Sequence, residues 1–82
     1  MKTATIEMND EAMVATPDLW PQWPMLPLKH RYEREGGWPV LGFILATEPL
    51  VVYLGNMYQD ITKLPAKQFK SVKELLAEWM VD

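Results

Sequence analysis

The chain has 82 residues, 49% of them hydrophobic, and a formal net charge of −3 at pH 7. That length supports one hydrophobic core, because ordering each residue costs on the order of 1.5 kcal/mol and burial must offset the sum. With no Cys and one His, the chain has neither a disulfide framework nor the ligand set of a structural metal site. The weakly negative charge disfavours nucleic-acid binding, which depends on a basic surface.

The sequence predicts a cytoplasmic protein without a membrane segment. The first ten residues lack the apolar stretch of a secretory signal peptide, and no run approaches the ~20 apolar residues that span a bilayer. The absence of Cys agrees with a reducing compartment.

Residues 1–16 mix Thr, Ala and acidic residues with isolated apolar positions. This pattern permits a short strand at 3–8 or a short helix opened by Asn9 or Asp10, and it favours neither. We therefore expect a mobile or marginally ordered N-terminal arm at 1–16, followed by a single domain at 17–82.

Residues 17–27, PDLWPQWPMLP, contain four prolines. Proline restricts its own φ angle and the backbone of the residue before it, so this segment is predicted to be extended and not helical. Trp20 and Trp23 make it a stiff, apolar ribbon. Either the ribbon covers a face of its own sheet, or it is displayed to a partner, where Trp side chains often dominate the binding energy.

Three strands are predicted from the hydrophobic pattern. Residues 26–34 alternate apolar and charged side chains, as a half-exposed edge strand does, and Glu35-Gly36-Gly37 predicts a tight turn after them. Residues 38–46 and 50–55 are apolar on both faces, and Thr47-Glu48-Pro49 predicts the turn between them.

A C-terminal helix is predicted from the sequence SVKE at 71–74, which matches a capping box with Ser71 as the N-cap. Apolar residues at helical spacing between Phe69 and Trp79 indicate one packed face. A start near Ala66 stays open, because Pro65 suits the beginning of a helix. Residues 57–68 have no clean period and are predicted to be a loop.

Together these elements predict an α+β fold, in which a three-stranded antiparallel meander carries a C-terminal helix on one face and an extended Trp/Pro-rich N-terminal arm. One helix covers only one face of a sheet, whereas two of the strands are apolar on both sides. The second face therefore needs cover from the ribbon, from residues 1–16 or from a second copy of the chain.

Side chains suited to catalysis are scarce. Ser71, the only serine, is explained as a helix cap, and His30, the only histidine, as a partly buried and hydrogen-bonded strand residue. The paired acidic residues are explained as solvated surface, and the glycines lack the spacing of a phosphate-binding loop. We therefore predict no catalytic, cofactor-binding or metal-binding residues and no cofactor.

The sequence VVYLGNMY at 51–58, followed by SVKELLAEWMVD at 71–82, resembles small bacterial and bacteriophage proteins without an assigned activity. The resemblance covers less than half of the chain. It implies an accessory or regulatory protein and no particular substrate or site.

The leading functional hypothesis is a non-enzymatic protein-interaction or regulatory module that associates with itself or with another protein. Its expected contact surface contains Trp20, Trp23, Met25, Trp38 and Tyr53. One alternative is an acidic inhibitor or nucleic-acid mimic of phage type that blocks a basic groove on another protein. Another is a small ligand-binding domain or enzyme with a pocket at His30 and Tyr32.

Overall fold

A computed structural model describes residues 9–82, which form a five-stranded antiparallel sheet with order β4-β3-β2-β1-β5. The strands are β1 (Met25–Glu35), β2 (Trp38–Leu45), β3 (Glu48–Leu54), β4 (Ala66–Gln68) and β5 (Trp79–Val81). The α-helices are α1 (Asp10–Ala15) and α2 (Val72–Glu78), and 3₁₀-helices span Pro17–Leu19 and Ile61–Lys63. The prediction of a three-stranded α+β fold is wrong, because the fold has more strands, less helix and a mostly β character.

The three central strands lie close to the segments that the hydrophobic pattern identified. Gly36 and Gly37 have φ angles of 59° and 87°, in the left-handed region that glycine adopts without strain, and they close the tight β1–β2 hairpin. The turn between β2 and β3 falls at Ala46-Thr47, slightly earlier than expected, because Glu48 already pairs with Leu45.

A large bulge interrupts the pairing of β1 with β2. Lys29 pairs with Leu41 and Arg34 pairs with Pro39, so five residue steps on β1 (29 to 34) face two on β2 (41 to 39). The alternation predicted for 26–34 breaks at this point. As a result Tyr32, which was expected on the apolar face, is 72% exposed.

β4 and β5 form the two edges of the sheet. β4 pairs with β3, and β5 pairs with β1 at Leu28, Lys29 and His30. Each has only three residues, too few to show the two-residue period of a strand. For this reason neither strand was predicted: β4 lies in the predicted loop at 57–68, and β5 lies in the predicted C-terminal helix.

The helix α2 ends at Glu78, and the chain then becomes extended. Trp79 has φ −119° and ψ 158°, while its N–H still donates to the carbonyl oxygen of Leu75. In β5, Trp79 pairs with His30 and is only 2% exposed. Burying about 200 Å² of indole contributes roughly 5 kcal/mol, and the buried Nε1–H, which has no hydrogen-bond partner within residues 9–82, offsets about 1–3 kcal/mol of it. The remainder still exceeds the ~0.7 kcal/mol per residue spanned by ordinary helix propensities.

One hydrophobic core lies between the sheet and the helices. Its most buried members are Val14, Trp20, Leu26, Leu28, Ile44, Val52, Phe69, Leu75 and Trp79. Gly42 lets Trp79 approach β2 closely, because a Cβ at Gly42 would lie 3.0 Å from two carbons of the indole ring. The core thus joins the central strands to the short elements at both ends of the described chain.

The N-terminal part of the described chain is helical, one of the two alternatives left open for it. The Asn9 side chain accepts a hydrogen bond from the N–H of Ala12 at 2.7 Å and caps α1. Asp10 Oδ2 accepts from the N–H of Val81 at 3.1 Å, so it blocks a free donor on the edge strand β5. The strand predicted at 3–8 lies outside the described residues.

The prediction of an extended Trp/Pro-rich arm is wrong, because residues 17–24 fold into a 3₁₀-helix and a turn. The N–H of Trp20 donates to the carbonyl oxygen of Pro17, and the N–H of Trp23 donates to that of Trp20. Pro17 stands at the start of the 3₁₀-helix, where its missing N–H is not needed. Proline therefore begins a short helical turn here instead of preventing one.

Ser71→Ala is expected to lower the free energy of unfolding by about 0.5–2 kcal/mol. Ser71 Oγ accepts a hydrogen bond from the N–H of Glu74 at 3.2 Å, which confirms the predicted cap of α2, and alanine removes this acceptor. Urea denaturation measures the change. Ser71→Asp, which keeps an oxygen acceptor, is the control; an alanine variant as stable as the wild type would show that the cap contributes nothing.

Candidate interaction surface

The five residues predicted to form a contact surface do not lie together. Trp20 is 3% exposed, and its indole N–H donates to a main-chain carbonyl oxygen of α1 at 2.6 Å. Trp23 and Trp38 are 61% and 76% exposed, but they lie at opposite ends of the β1–β2 hairpin. Met25 and Tyr53 are half-buried strand residues. Trp20 is therefore a core residue, and the ribbon does not present two tryptophans to a partner.

The sheet face opposite the core is partly covered. Its side chains alternate with those of the core positions and include Pro27, Lys29, Leu41, Phe43 and Tyr53. Phe43 is fully buried and stacks on Tyr53 with ring centroids 5.5 Å apart, yet it does not belong to the core cluster on the helix side. Leu41, two residues away on the same face, is 45% exposed. This face is closed at Phe43 and open at Leu41.

Three adjoining grooves meet at Leu41. Trp38 lines the first, Tyr58 the second, and Lys29 and Asp82 border the third, while Leu41 lines all three. The first groove has a volume of about 450 Å³ and is open to solvent. We call Trp38, Leu41 and Tyr58, with Lys29 and Asp82 at their rim, the Leu41 surface.

The loop after β3 fixes the backbone that carries Tyr58. Asn56 Oδ1 accepts from the N–H of Tyr58 at 2.7 Å, and Gln59 Oε1 accepts from the N–H of Asn56 at 2.6 Å. Gly55 has φ 140°, and a Cβ there would lie 2.6 Å from Gln59 Oε1, so this position requires glycine. These internal hydrogen bonds hold the loop backbone, while the Tyr58 side chain is 82% exposed.

The rim of the Leu41 surface carries charges of both signs. Lys29 on β1 and Asp82 after β5 border the same groove, and Glu35 borders the groove beside Trp38. Within residues 9–82, none of these three side chains forms an ion pair. A partner that covers the apolar centre would meet charges of both signs at its edge.

His30 has a structural position away from the Leu41 surface. It is 5% exposed, and its Nδ1 accepts from the N–H groups of Tyr32 at 3.1 Å and Glu33 at 2.9 Å. These N–H groups belong to the bulge of β1, where the strand ladder is interrupted, so the imidazole replaces the missing acceptors. The predicted hydrogen bonding of His30 is confirmed, and the side chain is more fully buried than the partly buried residue that was expected.

Glu78 connects His30 to Lys67. Because Nδ1 of His30 is an acceptor, the ring proton lies on Nε2, which is 3.3 Å from Glu78 Oε1. Lys67 Nζ donates to Glu78 Oε2 at 2.8 Å, and this bond, with a smaller contribution from His30, lowers the pKa of Glu78. Both nitrogens of His30 are thus engaged within the protein.

Residues 9–82 contain no group of three or more His, Cys, Asp or Glu side chains that could hold a metal ion. In the same range, no helix has the length and apolar character needed to cross a membrane.

No protein-family model, curated protein or solved structure matches this chain.

Sequence reasoning identified Trp38 but missed Leu41 and Tyr58 as surface residues. Leu41 lies in a strand that is apolar on both faces, where the pattern cannot tell which apolar side chains remain uncovered. Tyr58 lies in the predicted loop 57–68. The available signal was a large aromatic residue flanked by turn-forming polar residues, which places its ring at the protein surface.

Proposed function

We propose that this protein is a non-enzymatic protein-interaction module that binds its partner through the Leu41 surface. The proposal is carried by the convergence of three large, exposed side chains, Trp38, Leu41 and Tyr58, on adjoining grooves. A single exposed hydrophobic side chain is ordinary on a soluble protein. A cluster that combines Trp, Tyr and Leu with a charged rim is typical of a binding surface.

The polar groups beside the grooves favour a protein over a small molecule as the ligand. A small-molecule site encloses its ligand and directs several free polar groups at it. Here the side-chain oxygens of Asn56 and Gln59 are bonded within their own loop, and the grooves are open. An apolar centre with a charged rim matches the usual arrangement of a protein interface.

The side chains with catalytic potential support a non-enzymatic function. His30 uses Nδ1 to hold the bulge and directs Nε2 at Glu78. Ser71 Oγ caps α2 and has no neighbouring base among its hydrogen-bond partners in the described chain. A nucleophile needs such a base within hydrogen-bond reach, so these groups do not form a catalytic pair.

Photo-cross-linking in the cells from which the protein comes tests the proposal. We expect p-benzoylphenylalanine in place of Trp38 or Tyr58 to yield a protein adduct of discrete mass, because both side chains line the proposed contact. The same probe in place of Trp23 or Tyr32 is the matched control, since these aromatics are 61% and 72% exposed but lie outside the Leu41 surface. Adducts that are absent, or equally strong at the control positions, would contradict the proposal.

A further inference from the structure

We infer that the partner at the Leu41 surface is a second copy of this chain, bound about a two-fold axis that passes near Leu41. This inference rests on the proposed function and adds the identity of the partner. In a two-fold dimer the same patch is used on both copies, so the patch must be complementary to itself.

The distribution of apolar and charged side chains makes the Leu41 surface self-complementary. Leu41 lies at the centre, where all three grooves meet, and it has the exposed apolar side chain that a copy of itself can cover. Lys29 and Asp82 border one groove with opposite charges, and neither forms an ion pair within residues 9–82. In the proposed dimer the two-fold axis runs between these two side chains, close to Leu41, so that Lys29 of each copy faces Asp82 of the other.

Other classes of partner fit this rim less well. A basic partner would meet Lys29, and an acidic partner would meet Asp82 and Glu35, so each would face a like charge. A purely apolar partner would leave both signs of charge without a counterion. A second copy offers an apolar centre and both charges at once, and association adds buried surface to a chain whose own core is small.

Charge reversal at the rim gives a specific test. We expect Lys29→Glu alone, or Asp82→Lys alone, to weaken self-association at least about tenfold. In a dimer of either variant, positions 29 and 82 of the two chains carry like charges at both symmetric contacts. An equimolar mixture of the two variants is expected to restore association to near the wild-type level. In the mixed dimer the reversed charge at position 29 of one chain faces the reversed charge at position 82 of the other.

Sedimentation equilibrium of the full chain measures this association at protein concentrations up to about 100 μM. Restoration by mixing requires contact between chains, so an attraction between Lys29 and Asp82 within one chain cannot produce it. Lys63→Glu, which makes the same charge change on an exposed residue outside the grooves, is the matched control and should associate like the wild type. If Lys29→Glu does not fold, Leu41→Lys is the second variant. It places like charges near the axis and should abolish the dimer.

Two results would overturn the inference: a wild-type chain that is monomeric at about 100 μM, or a mixture that associates no better than its separate components. A monomeric wild type whose probe at Trp38 cross-links to a different protein would leave the proposed function standing and replace the partner. A monomeric wild type without adducts at Trp38 and Tyr58 would remove both proposals.

Discussion

Trp79→Ala is expected to lower the free energy of unfolding by about 3–5 kcal/mol, the usual effect of removing a large aromatic side chain from a core. Trp79 is 2% exposed, its ring lies beside Gly42 of β2, and it meets the His30 ring edge-on with centroids 4.9 Å apart. Its removal leaves a cavity where β5, β1 and β2 converge. Domains of this kind are stable by on the order of 5–15 kcal/mol, so the loss is a large fraction of the total.

Chemical denaturation followed by circular dichroism measures this loss. Trp38→Ala is the matched control, because Trp38 is 76% exposed and its removal should change monomer stability by no more than about 0.5 kcal/mol. Low protein concentration keeps association out of the comparison. A Trp79→Ala variant that loses less than about 1 kcal/mol would show that the indole does not anchor β5.

His30→Leu is expected to destabilise the protein by about 2–4 kcal/mol, because it removes the acceptor that serves two N–H groups of the bulge. His30 Nδ1 accepts from the N–H groups of Tyr32 and Glu33, and leucine has no atom that can take its place. The change also removes the Nε2 hydrogen bond to Glu78.

His30→Asn separates the hydrogen bonds from the packing of the ring, because its side-chain oxygen can reach a position close to that of Nδ1. We expect the asparagine variant to recover part of the stability lost in the leucine variant. Hydrogen exchange provides the local measurement, with the amides of Tyr32 and Glu33 exchanging faster in His30→Leu than in His30→Asn. Equal exchange in both variants would show that Nδ1 does not hold the bulge.

The features predicted correctly from sequence depend on local chemistry. Gly36 and Gly37 adopt the positive φ angles that a tight hairpin requires, and Ser71 caps α2 as its capping box indicates. The central strands are long enough to be recognised, β1 by its alternating side chains and β2 and β3 as apolar runs bounded by turn residues. In each case the physical cause lies within a few neighbouring residues.

The features predicted wrongly depend on contacts between distant parts of the chain. The apolar spacing up to Trp79 suits a helix. Trp79 nevertheless belongs to a strand, because it pairs with His30, which lies 49 positions earlier in the chain (79 − 30). Ala66–Gln68 becomes a strand only because β3 offers it an edge. Trp20 was grouped with exposed tryptophans, and only the assembled core shows that it is buried.

By itself, the sequence determined the hairpin with its Gly36-Gly37 turn, the cap at Ser71 and the excess of apolar side chains over what one helix can cover. Only the tertiary structure decided which apolar side chains are buried and which stay exposed. Burial depends on what packs against a strand, and the strand's own sequence pattern does not contain that information. Phe43 and Leu41 lie on the same face of the same strand, yet Phe43 is fully buried and Leu41 is 45% exposed. That difference, set by neighbours from other parts of the chain, creates the proposed contact surface.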